Sequence, residues 1–140
     1  MYTPAKRHKC LAGALLVLWL MFIWGNSLLD GTDSSAVSGF AGRLLSVILG
    51  PWVEEAAFLL RKLGHFMEFA ILGALLSFNG RMWNLGRLPS ILGGLVAALV
   101  DETIQSFVPG RAAMVTDIWI DFGGVLFGVC VFYILFVRRK

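Results

Sequence analysis

The chain has 140 residues, 58% hydrophobic and only 15% charged, with a mean hydropathy of +0.78, which is more apolar surface than a water-soluble domain of that size can bury. Length leaves room for one domain, residues 1–140, and lipid must cover much of it. Twelve Lys and Arg against nine Asp and Glu give a net charge of +3, but the basic residues bunch at the chain ends and in one connection, which marks membrane topology and not a nucleic-acid partner.

A helix needs about 20 apolar residues to cross the hydrocarbon of a bilayer. Spans are predicted at about residues 11–29, 56–78, 88–108 and 118–137. The first, after Lys6, Arg7 and Lys9, leads into WGNSLLDG and not into a small-residue cleavage site, so it reads as an uncleaved helix. The second carries Arg61, Lys62, His65 and Glu68 in its first half, yet Phe66 to Phe78 is almost wholly apolar. Cys10 and Cys130 have neither CxxC nor metal-ligand spacing and imply no disulfide framework.

Orientation follows from Lys and Arg near the span ends. Eight of them precede span one, join spans two and three, or follow span four, while Arg43 and Arg111 lie on the other side. Both termini are therefore expected in the cytoplasm of a multi-pass protein of the cell membrane. In the long outer segment, Asp33 and Ser34 are helix-capping residues, and Val37, Phe40, Leu44, Val47 and Ile48 recur at helical spacing until Pro51. A short interfacial helix after span one is expected there, with a loop over the bundle mouth as the alternative.

Charges inside spans are costly and survive where they face the bundle, pair, or line water. By depth, His65, Asp101 and Asp121 fall in one outer layer on three helices, whereas the inner halves are free of charge. Arg61, His65 and Glu68 share a stripe on span two; Asp101 and Gln105 stack on span three, beside Glu102; Asp117, Asp121, Gly124 and Gly128 form a stripe on span four. The glycines suit close helix approach. Arg111, in a tight turn after Pro109, has the planar fork that matches carboxylate or phosphate. With His65 neutral, three cations against five acids leave the cluster a formal charge of −2, which a shared proton, a protonated His65 or a bound cation would relieve.

These residues carry a resemblance. RKLGHFMEFAILGALL (Arg61 to Leu76), DETIQSFVPGR (Asp101 to Arg111) and DIWIDFGGVLFG (Asp117 to Gly128) resemble, in order, motifs of the VanZ-like family of small bacterial membrane proteins, which takes its name from a glycopeptide (teicoplanin) resistance protein. The resemblance implies a polytopic membrane protein with Arg61, Lys62, His65, Glu68, Asp101, Glu102, Gln105, Arg111 and Asp117 as its polar motif residues. Phe69, Met114 and Asp121 depart from the Tyr, Ser and Asn common there.

The fold expected is thus an all-α bundle of four transmembrane helices with a polar outer pocket built by spans two to four. Its candidate ligand-binding residues are Arg61, His65, Glu68, Asp101, Glu102, Gln105, Arg111, Asp117 and Asp121. One reading is a site for an anionic lipid headgroup or lipid-linked cell-wall component, held by Arg61 and Arg111 and linked to teicoplanin resistance, with membrane lipids as partners and no cofactor. Another is an intramembrane hydrolase or transferase in which His65 is general base or nucleophile and nearby carboxylates assist, with a divalent cation held by His65, Glu68 and acids of the other helices. A proton relay through Asp101 and Glu102 lacks a continuation through the inner halves. An ion-pair lock that only fixes helix register is the structural alternative.

Overall fold

The computed structural model describes residues 6–28, 53–109, 111 and 114–137. Within them the chain forms four α-helices and no strand: α1 (Lys6–Ser27), α2 (Val53–Met82), α3 (Arg87–Ser106) and α4 (Val115–Phe136). The interfacial helix expected after the first span lies outside the described residues. The helix ends follow local chemistry. α2 stops in a Schellman motif: Asn84 takes a left-handed conformation (φ 55°), its N–H donates to the Arg81 carbonyl at 3.3 Å, and Leu85 N–H donates to the Gly80 carbonyl at 2.7 Å. α3 ends at Ser106, just ahead of Pro109, as the Ser106 hydroxyl donates to the Thr103 carbonyl at 2.6 Å.

α1, α3 and α4 are long and apolar enough to cross a membrane. α2 is the longest at 30 residues, about 45 Å of helix against about 30 Å of hydrocarbon, and it bears the charged first half. Its helix begins at Val53, ahead of the expected 56, because charged and polar residues continue a helical backbone wherever water meets them. Large apolar side chains remain exposed along the bundle, with Leu11, Leu15, Leu18, Met21 and Phe22 forming one open stripe on α1. In water such a stripe would be a liability; in lipid it is the solvent-facing surface.

The helices run up, down, up and down, so α2 and α4 are parallel. α2 and α3 each pack on all the others, and α1 and α4 sit on opposite sides of that pair. The α2–α4 seam is the tightest. Gly124 lies against the Phe66 carbonyl and Gly128 against that of Ala70, where an added Cβ would stand 2.7 Å from the Ala70 carbonyl carbon and 3.0 Å from the Ala74 nitrogen. Small residues thus let two backbones touch where no hydrophobic force between helices operates. Gly94 on α3 leaves room for Val125 in the same way. Phe69, Leu72, Ala98, Val125 and, from α1, Ile23 close the core.

The two ends differ chemically. At one, cations rest on aromatic rings: Lys9 Nζ lies 4.7 Å from the Trp83 centroid and the Arg87 guanidinium 4.3 Å from that of Tyr133. The other end holds the acids.

Candidate functional site

The acidic end is built from all four helices. Asp101 stands five residues before the end of α3 and Asp121 six residues after the start of α4, about 8–9 Å inside the bundle. Both carboxylates are fully buried, so their oxygens need partners. Asp101 has them. Ser27 Oγ donates to its Oδ1 at 2.6 Å, Gln105 Nε2 donates to its Oδ2 at 2.6 Å, and the Gln105 amide also reaches Ser27 Oγ at 3.3 Å. The three side chains form a closed triangle between α1 and α3, and the i, i+4 stacking of Asp101 and Gln105 read from the sequence is what makes it possible.

Asp121 is in the opposite condition. Neither of its oxygens has a hydrogen-bond partner among the described residues, and His65 Nδ1, 3.8 Å from Asp121 Oδ1, has none either. His65, Asp101 and Asp121 each offer a ligating atom, and the three atoms lie within 4.8 Å of one another.

Around this core the remaining residues sort by partner. Glu68 accepts from Asn26 Nδ2 at 3.2 Å, while its backbone carbonyl takes the Trp19 indole N–H at 3.0 Å. The side chain therefore turns to α1 and away from the His65 group, although it is one turn from His65 on α2. Glu102 accepts from the backbone N–H of Met114 through Oε1, which ties the connection after α3 back onto α3, while its Oε2 is buried without a partner among the described residues. Lys62 pairs with Asp117, joining the start of α4 to α2. Arg111 lies within electrostatic reach of His65, Glu68 and Asp101, and its Nε is buried and unpaired among the described residues.

The structure thus brings together eight of the nine candidates: His65, Glu68, Asp101, Glu102, Gln105, Arg111, Asp117 and Asp121. Arg61 stands apart, exposed, with its guanidinium 6.0 Å from the Phe58 centroid. Lys62, one residue on and about 100° around the helix, takes the face that meets α4 at this level through Asp117 and leaves Arg61 turned off it.

Sequence reasoning assigned the pocket to spans two to four; the structure adds α1. Asn26 and Ser27 had appeared only as polar interruptions near the end of an apolar span. Their signal was depth, since they end α1 at the same end of the bundle at which α3 places Asp101.

A groove of about 620 Å³ runs between α3 and α4 toward the opposite end, walled by Ile91, Leu126, Val129 and Ile134 with Arg87 at its rim. It shares no residue with the acidic cluster.

A family model described as VanZ/LLP1 matches residues 12–136. No curated protein and no solved structure matches the chain.

Proposed function

This chain belongs to the VanZ/LLP1 family, and from that premise we propose that it is a four-span protein of the cell membrane whose acidic-end chamber receives the anionic headgroup of a lipid or lipid-linked cell-envelope component. α2 is the fourth span, long enough to cross at a tilt with its charged half in the chamber. Both termini are cytoplasmic, which puts Lys9, Arg81 and Arg87 at the inner surface and the chamber at the outer one.

The observation that carries this reading is Arg111. A guanidinium donor buried without a partner is costly, and an entering phosphate or carboxylate oxygen supplies what Nε lacks. Glu102 supports the arrangement by holding the backbone at Met114, three residues past Arg111. Arg61, outside the chamber, has no part in it.

The test is headgroup binding by full-length protein in nanodiscs, with phosphatidylglycerol against phosphatidylcholine. Arg111→Lys keeps the charge and loses the fork, so the phosphatidylglycerol preference falls several-fold, while Arg61→Lys leaves it intact. An unchanged preference in Arg111→Lys overturns the reading. Reduced teicoplanin susceptibility on expression, lost with Arg111→Lys, is the cellular counterpart.

A second reading is favoured by the nearness of His65 to Asp121, 3.8 Å apart, which is one small side-chain rotation short of the hydrogen bond by which an acid orients a base. An intramembrane hydrolase or transferase would then use His65 on a bound headgroup. His65→Ala separates the two, since a binding module keeps its affinity for phosphatidylglycerol and an enzyme loses turnover of it.

A further inference from the structure

Burying a carboxylate with neither oxygen paired is among the most expensive arrangements in a protein, and among the described residues Asp121 is in that position with a side chain 1% exposed. Facing it at 3.8 Å is an imidazole nitrogen that also lacks a partner among the described residues. We propose that His65, Asp101 and Asp121 hold a divalent first-row cation of the Zn2+ or Mn2+ class at the junction of α2, α3 and α4. The inference goes beyond the headgroup reading and does not depend on it.

Three independent features point the same way. The first is spacing. Ligands about 2.1 Å from a common ion stand roughly 3–4 Å from one another; His65 Nδ1 and Asp121 Oδ1 are 3.8 Å apart, and His65, Asp101 and Asp121 each place a ligand atom within 4.8 Å of the others', a set that small side-chain rotations draw onto one ion. The second is the donor set. One imidazole nitrogen with two carboxylates suits Zn2+ or Mn2+ better than Ca2+, which takes oxygen throughout.

The third is the support around the ligands. Metal-binding side chains are aimed by hydrogen bonds from behind, and Asp101 receives one on each oxygen, from Ser27 and from Gln105. Each of those oxygens still has a lone pair to give. Such hydrogen bonds orient a carboxylate without neutralising it, so two buried negative charges remain for a dication to balance. Three protein ligands leave open positions for water or for a ligand oxygen.

An acidic cluster locked by ion pairs alone would look different. The ion pair that does lock register here, Lys62 with Asp117, lies nearer the bundle end, and it leaves Asp121 uncompensated. Glu68, whose carboxylate is taken by Asn26, stays outside the ligand set.

The experiment uses the full chain in detergent, stripped with a chelator and titrated with Zn2+ and separately with Mn2+, with no anionic lipid present. One ion bound per chain is expected. Asp121→Asn and His65→Gln lose at least 100-fold in affinity, Ser27→Ala and Gln105→Ala lose about 10–100-fold, and Arg61→Gln, outside the site, binds as the original chain does. X-ray absorption on the Zn2+-loaded original chain, which needs no variant to fold, shows nitrogen and oxygen ligands with no sulfur.

Absence of stoichiometric binding of either ion by the original chain overturns the proposal. So does a sulfur ligand, which would place the ion at Cys10 or Cys130, and so does an Asp121→Asn chain that melts at the original temperature and binds as tightly. Because no anionic lipid is present, a negative result here leaves the headgroup reading standing, and an unchanged headgroup preference in Arg111→Lys leaves this one standing.

Discussion

Gly124 on α4 lies directly against the backbone carbonyl of Phe66 on α2, and each is a near neighbour of a site residue, Asp121 three positions back and His65 one. A close backbone approach between the two helices therefore sets the distance across which His65 and Asp121 face each other. Packing and site geometry are one feature at this seam.

Gly124→Ala accordingly drives α2 and α4 apart, because the new methyl meets backbone atoms that cannot rotate away. A loss of about 1–3 kcal/mol is expected from such overpacking, seen as a lower melting temperature in detergent, together with weaker metal binding. Gly13→Ala, in open space, leaves both unchanged or slightly raises stability, since alanine is the better helix former. Equal effects at the two glycines would remove the seam from the account.

Ser27 matters through Asp101. Removing its hydroxyl with Ser27→Ala takes away a hydrogen bond to a buried carboxylate, with an expected cost of about 1.5–3 kcal/mol. The cost should shrink in an Asp101→Asn background, and a double-mutant cycle with thermal or denaturant melts checks the coupling.

Lys62 and Asp117 are mostly buried, so removing either charge strands the other. Lys62→Met and Asp117→Asn should each destabilise more than half of what the double variant does, with a coupling of about 0.5–3 kcal/mol. Arg61→Met, by contrast, falls within about 0.5 kcal/mol of the original chain, as expected of an exposed position.

Trp19 links α1 to the site through a carbonyl and not through a charge. Trp19→Phe keeps most of the ring and loses the hydrogen bond to the Glu68 backbone, which is worth about 1 kcal/mol. Metal affinity stays within a few-fold, because none of the three ligands moves.

Orientation is checked chemically. With Cys10 and Cys130 replaced by Ala, a cysteine at Glu55 reacts with a membrane-impermeant thiol reagent on intact cells, and one at Arg81 reacts only after lysis. The reverse pattern places the acidic chamber in the cytoplasm and withdraws the envelope component as its ligand.

The three helices apolar enough to span follow from runs of about 20 apolar residues alone, because the bilayer demands that length and the backbone must satisfy itself within each run. Depth along a helix is likewise a matter of counting, which is why His65, Asp101 and Asp121 were legible as one layer before any coordinate. Direction was harder. The stripe containing Arg61 followed from angle, yet Arg61 is outside the site, because at the start of α4 it is Lys62 that faces Asp117. Ser27 and Asn26 were invisible as site residues because nothing in one helix says which neighbour it packs on. Local periodicity, charge and length thus determine the elements and their order, whereas which side chains become partners was decided by the parallel contact of α2 with α4, where Gly124 and Gly128 of one segment meet backbone carbonyls of another that their own segment does not name.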